Sequence, residues 1–272
     1  MKNKRFITLV LTIVLAVAAY SQALMVKHSN KQPIVRIEET TSQPTKSNQP
    51  TKQTSNYQDL AYKSFVSGSA PYITVNNNVA ELTATDWHTE KIDYSPLDRL
   101  NRVGSATAYL SKRNLGSSES RIEQHWRPTG WHNQPIRVNG ERIYPQNRGH
   151  LIAYTLSFNF DQAGHYRAGE LGSLDNPKNL ATQTAFSNQK TMQVFESQVR
   201  DALKHNKKVI YKVTPVFRDQ ELMPRGYWSQ ALSTDGALNF NVYIWNVEPG
   251  ISFDYATGRG HADSNERISN KV

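Results

Sequence analysis

The sequence predicts an α+β fold organised around a mainly antiparallel sheet, and three observations lead there. The β-rich runs are short and clustered rather than alternating with helices. One pair of runs is joined by Asn139-Gly140, the dipeptide suited to a two-residue hairpin turn. Strong helical periodicity is confined to 188–205, where Met192, Phe195, Val199 and Ala202 or Leu203 recur at steps of three to four.

Taken in order, the chain opens with Lys2, Lys4 and Arg5, then 6–26 without a charge, closed by Lys27. That run is long enough to cross a bilayer. With Ser21-Gln22-Ala23 as a small-residue cleavage site it also fits a signal peptide. A retained anchor and a cleaved signal both stay open over 1–26, and both place the remainder outside the cytoplasm, either secreted or held on the outer face of the membrane. Residues 27–58 are rich in Gln, Thr, Ser, Lys and Asn, and 40–56 holds no Leu, Ile, Val or Phe. Too little apolar area is available there to offset ordering entropy, so a disordered tether is expected. The folded domain begins between Tyr57 and Phe65 and is taken as 59–272.

Within it, 71–75 alternates as a short strand and runs into the turn Asn76-Asn77-Asn78. Residues 103–110 read as a strand opening the sheet, and 127–131 as a loop. The hairpin 136–138 with 142–144 follows, and Asn147-Arg148-Gly149-His150 comes as it ends. After a mixed stretch with an Asp175-Asn176-Pro177 breaker comes the helix at 188–205, then strands at 208–216 and 240–247.

Composition narrows the chemistry. The 272 residues contain no cysteine, which excludes a disulfide framework, a thiolate metal site and a Cys nucleophile. A metal would need His, Asn, Gln or carboxylates, hence a hard ion or a His-based zinc site. The net charge is +9, but residues 1–60 carry eight Lys/Arg against three Asp/Glu, so much of it is N-terminal. Residues 91–148 hold ten Lys/Arg against five acids and form the expected phosphate-attracting face. No Gly-x-Ser-x-Gly elbow is present.

The four residues 147–150 combine a group that titrates near neutrality, a planar guanidinium and a position without a Cβ. A turn with an ordinary surface histidine explains them equally well. Asn188, at the expected helix start, is either a metal ligand or an N-cap. Glu196 is either a group holding metal-bound water or part of a solvated helix face. A regular helix would separate the two by ~12 Å along the axis, too far for both to ligate one ion directly. A zinc site from His125, His132 and His150 would need His-x6-His spacing. Trp131 and Trp228 are the tryptophans best suited to stacking on bases.

The chain resembles the DNA/RNA non-specific endonucleases of the ββα-metal superfamily over roughly 70–258. The resemblance is carried by 97–102 (LDRLNR), 127–131 (RPTGW), Asn147-Arg148-Gly149-His150, Asn179-Leu180, Gln183, Asn188-Gln189, Glu196, 213–216 (VTPV), Pro224-Arg225 and 254–258 (DYATG). It implies a ββα-metal core and sequence-non-specific hydrolysis of DNA, with RNA as a second candidate substrate. His150 would be the general base and Asn188 the direct ligand of Mg2+, for which Mn2+ could substitute. Glu196, Gln183 and Asn179 would hold the metal's waters. Arg148 would contact phosphate with catalytic effect, and Arg127, Asn147 and Arg225 would bind substrate. Relatives most often have Asp where this chain has Asn147. No protein partner is implied beyond nucleic acid, and a membrane contact only through 1–26. A surface DNA receptor without catalysis is the alternative.

Overall fold

The computed structural model describes residues 57–269; the expected leader or anchor and the tether up to residue 56 lie outside them. In chain order the elements are helix α1 (Tyr57–Ala61) and strands β1 (Tyr72–Thr74), β2 (Lys91–Tyr94), β3 (Ala106–Leu110), β4 (Ile136–Val138), β5 (Glu141–Ile143), β6 (Gln146–His150) and β7 (Leu180–Thr184). A π-helical turn (Ser187–Met192) leads into helix α2 (Gln193–Lys204), followed by β8 (Val209–Val216), β9 (Gly226–Ser233), β10 (Asn239–Trp245), β11 (Ile251–Asp254) and β12 (Arg259–Ala262).

Six strands form one antiparallel sheet in the order β1-β10-β9-β8-β3-β2. Successive side chains of a strand leave on opposite faces, and both faces of this sheet are covered. On one face Ala108, Tyr211, Tyr227, Phe240 and Ile244 meet Phe195, Val199 and Leu203 of α2. Phe195 makes edge contacts with Tyr72 (5.1 Å) and tilts against Phe240 (5.2 Å). On the other face Trp228, Tyr243, Trp245 and Val247 pack with Leu60 and Ala61 of α1. Tyr57 is tied into the fold: its hydroxyl donates to the Phe217 carbonyl and accepts from the Phe217 amide.

The fold is α+β with the antiparallel sheet predicted. The expected strands near 71–75, 103–110, 208–216 and 240–247 are β1, β3, β8 and β10. The Asn-Gly hairpin forms as β4–β5, with Asn139 at φ 49° and Gly140 at φ 87°, the positive values that this dipeptide tolerates. Two expectations are corrected. Residues 147–150 follow the β4–β5 hairpin as expected, but they are strand rather than turn, inside β6, which pairs with β7. The helix expected from residue 188 is π-helical as far as Met192 and α-helical only from Gln193. No helix among the described residues is long and apolar enough to cross a membrane.

Candidate active site

Strands β6 and β7 and the helical segment after them form a ββα unit. The register sets Asn147 opposite Gln183, Gly149 opposite Ala181 and His150 opposite Leu180. Gly149 was expected to permit a turn or a ligand's approach; instead it makes room for a neighbour. A Cβ there would overlap the Gln183 side chain, which is fully buried across it and donates to Ser187 Oγ (3.1 Å). The helix start is anchored from the far side. Glu248 accepts from the Phe186 amide (2.7 Å), and Thr184 is tied to Asn246 (2.8 Å) and Val247 (2.6 Å). These bonds fix where Asn188 emerges.

A cleft of about 740 Å3 opens over this unit, and Asn147, Arg148, His150, Asn188, Gln189 and Glu196 all line it. His150 is only 9% exposed, which rules out the surface-turn reading. Its Nε2 lies 2.9 Å from the Leu174 carbonyl oxygen. A carbonyl can only accept, so Nε2 carries the proton and Nδ1 keeps its lone pair. Burial pushes the imidazole pKa down to about 4, helped by Arg121 and opposed by the carbonyls of Leu174 and Ser173 and by Asp175. The ring is therefore neutral at pH 7.

Asn188 is not an N-cap. Phe186 before it is already helical (φ −64°, ψ −49°), and no side chain caps the segment. Its own amide makes no hydrogen bond among the described residues and faces the cleft with free valence. Glu196 is not on a solvated face, since its side chain is 13% exposed. Burial raises its pKa to about 7 against the pull of Arg200, whose Nη1 is 3.4 Å away. Arg148 stacks on Trp131 (5.0 Å to the ring centroid) and donates to the Gln124 carbonyl (2.5 Å), yet its Nε is buried without a partner, as is Asn147 Nδ2. Gln183 Oε1, on the residue paired with Asn147 across β6 and β7, is likewise buried without a partner, so these are unpaired polar atoms packed beneath the cleft.

The sequence reading missed Arg121, Gln124, Tyr154, Gln193 and Arg200, which also line the cleft. Arg200 carried a signal, an Arg four residues after Glu196 on one helix face. Arg121 lies in an irregular loop with no periodicity to expose it.

Several predicted site residues lie elsewhere. Asn179 is fully buried, with its amide bonded to both backbone groups of Ile152 (2.9 Å each), so it braces the chain after His150. Gln183 packs beneath the cleft rather than lining it. Arg225 pairs with Glu221 (Nε–Oε2 2.8 Å) and stacks on Tyr255 (4.3 Å), away from the cleft. Arg127 lines a neighbouring cavity. Trp228 is a core residue, donating to Asn241 Oδ1 (2.6 Å). Among the described residues no three His, Cys, Asp or Glu side chains group as metal ligands, so the His-only zinc site is absent there. A free carboxamide and one carboxylate fit a cation that keeps most of its water, as Mg2+ does.

The two shifted groups make opposite contributions to stability. His150 has a folded pKa (about 4) below its unfolded value, so the unfolded chain gains a proton first and stability falls as pH drops from ~6.5 toward 4. Glu196 has a folded pKa (about 7) above its unfolded value, so its contribution falls as pH rises from ~4.5 toward 7. In urea unfolding with chelator present, His150→Gln is expected to shift the stability difference between pH 5 and pH 7.5 by about 2 kcal/mol in favour of pH 5, relative to the parent. Glu196→Gln is expected to shift it by about 2 kcal/mol the other way. Shifts of the same sign in both variants would contradict the assignment.

A ββα unit with a buried histidine and a free asparagine lining one cleft, set on an antiparallel sheet, is the fold of a nuclease of the ββα-metal type. The solved structures similar to the chain agree. NucA from Streptococcus agalactiae with magnesium bound is 32% identical, covering 74% of this chain and 90% of that one at a TM-score of 0.62. The Sda1 nuclease with bound zinc shares the fold at 23% identity and a TM-score of 0.55, covering 71% of this chain and 96% of its own. A curated deoxyribonuclease from Streptococcus dysgalactiae subsp. equisimilis is 27% identical over 192 residues, which is 61% of this chain; the chain spans 59% of that relative's length. The model of the DNA/RNA non-specific endonuclease family matches residues 81–233. The chain belongs to that family.

Proposed function

We propose that this protein is a magnesium-dependent endonuclease that hydrolyses phosphodiester bonds of DNA, without marked sequence preference, outside the cytoplasm. The observation that carries the proposal is that His150, Asn188, Glu196 and Arg148 share one cleft. His150 Nδ1 takes a proton from the attacking water. The water oxygen bonds to phosphorus, the bond from phosphorus to the 3′ oxygen breaks, and the products are a 5′-phosphate and a 3′-hydroxyl that takes a proton from solvent. The Asn147 and Arg148 side chains, both lining the cleft, donate to phosphate oxygens. Asn188 would hold the cation through its amide oxygen and Glu196 would order the cation's water. When bound, the cation supplies Lewis-acid stabilisation of the charge that develops on phosphate. The magnesium in NucA supports this choice of ion. These groups address the backbone, which is why little sequence preference is expected. Action outside the cytoplasm rests on the charged start and uncharged run at 1–26.

The test uses the full chain on supercoiled plasmid. Nicked, then linear, then fragmented DNA is expected with Mg2+, none with excess chelator, and recovery when Mg2+ or Mn2+ is restored. Plasmid that is bound but stays intact with both ions would favour the receptor alternative.

A further inference from the structure

Beside the cleft lies a second cavity of about 490 Å3, lined by Arg127, Trp131, His132, Asn133, Gln134 and Tyr144. We propose that it is a base-stacking subsite, receiving a nucleobase of the strand whose phosphate lies at His150; this rests on the nuclease reading above. The lining contains two aromatic rings, an arginine and no carboxylate. Tyr144 is 57% exposed and its hydroxyl makes no hydrogen bond among the described residues, so packing does not explain a large ring there. Arg127 likewise has no ion pair or hydrogen bond among the described residues.

The two cavities share a wall. Arg148 lines the cleft, Trp131 lines the second cavity, and the guanidinium stacks on the indole at 5.0 Å. The loop carrying Arg127 and Trp131 is held in register with β6 and β7. Thr182 Oγ1 donates to the Thr129 carbonyl (2.8 Å), the His132 amide donates to Gln146 Oε1 (2.7 Å), and the Gln146 amide donates to Asn133 Oδ1 (3.0 Å). A base in the second cavity would thus be indexed to the same hairpin that carries His150. The neighbouring hairpin adds a second, independent sign of a polyanion. In β4–β5, Arg137 stands directly opposite Arg142. Like charges so paired destabilise a hairpin, and a phosphate backbone would relieve them. Stacking on aromatic rings tolerates any base, in keeping with a site that reads backbone.

The experiment measures binding, not cleavage. The full chain carrying His150→Ala is titrated, with Mg2+ present, into a fluorescent single-stranded oligonucleotide of about 12 nucleotides, and anisotropy gives Kd. Adding Tyr144→Ala is expected to raise Kd about tenfold, whereas Tyr144→Phe, which keeps the ring, stays within about twofold. An oligonucleotide with abasic residues should bind the parent about tenfold more weakly and the Tyr144→Ala protein no more weakly than the intact strand does. An unchanged Kd for Tyr144→Ala, an equal loss with Tyr144→Phe, or a loss in Arg127→Ala alone would overturn the subsite. Because cleavage is not read, the outcome is separable from the plasmid assay. A protein that stacks bases and never cuts would refute the nuclease reading and keep the subsite.

Discussion

His150→Ala is expected to lower kcat on supercoiled DNA by about 10²- to 10⁴-fold, the range for losing a positioned general base. The expectation follows from the state of the ring. Burial holds its pKa near 4, so essentially every molecule carries the basic form at neutral pH. The Leu174 carbonyl fixes the proton on Nε2, so no fraction is lost to the wrong tautomer. Nothing else lining the cleft can take over: Asn147, Asn188, Gln189 and Gln193 are not bases, and Glu196 is already engaged with Arg200. Affinity for DNA should survive, since Arg148 and Asn147 remain. Single-turnover cleavage together with anisotropy on the same preparation separates the two effects. A comparable loss in both would point to a disrupted fold.

On the proposed assignment of Asn188 as the direct ligand, the loss in Asn188→Ala should show in metal affinity before it shows anywhere else. Outer-shell partners of a metal site cost roughly 10- to 100-fold in affinity when removed, so a direct ligand should cost more than about 100-fold. Glu196→Gln should fall inside the lower range. Mn2+ titration followed by electron paramagnetic resonance reads both without any need for turnover. The ranking is the test. If Glu196→Gln weakened the ion more than Asn188→Ala, the carboxylate would be the ligand and the roles assigned here would be exchanged.

How much of this was legible in the sequence depends on which physical signal each element leaves. The α2 helix was readable because one face is buried and the other wet, so apolar residues recur at helical spacing. The Asn139-Gly140 turn was readable because few dipeptides accept two positive φ values. Strand β7 was not, because all five of its residues are buried and it shows no alternation, while Thr182 and Thr184 spend their hydroxyls on tertiary bonds. Strand β9 hid for a similar reason: the sheet is covered on both faces, so Tyr227 and Trp228 are buried in opposite directions. At the site, His150, Asn188, Glu196 and Arg148 stood out by residue type and by resemblance. The same resemblance also marked Asn179 and Arg225, whose side chains bond to Ile152 and Glu221 and do not line the cleft. Pattern marked those positions but could not say whether their polar atoms turn toward substrate or toward the protein itself.

Two of the resemblance blocks, 127–131 and 254–258, converge on one buried side chain beside a third, 147–150. Gln146, 1% exposed, donates to the carbonyls of Gly258 (2.7 Å) and Gly130 (3.4 Å) and accepts from the His132 amide. The segments 127–131, 146–150 and 254–258 are thereby held together, which accounts for glycines at 130 and 258. Both have positive φ, and a Cβ at 258 would overlap the Gly130 carbonyl.

The claim on which the account turns is that a neutral imidazole at position 150 supplies the base. Its most direct measurement is chemical rescue of His150→Gly on supercoiled plasmid with Mg2+, at pH 7.5, as free imidazole is added. The variant is expected to be inactive alone, with a cleavage rate that rises with imidazole and saturates, and the parent is expected to be unaffected. Undiminished cutting by the variant without imidazole would contradict it.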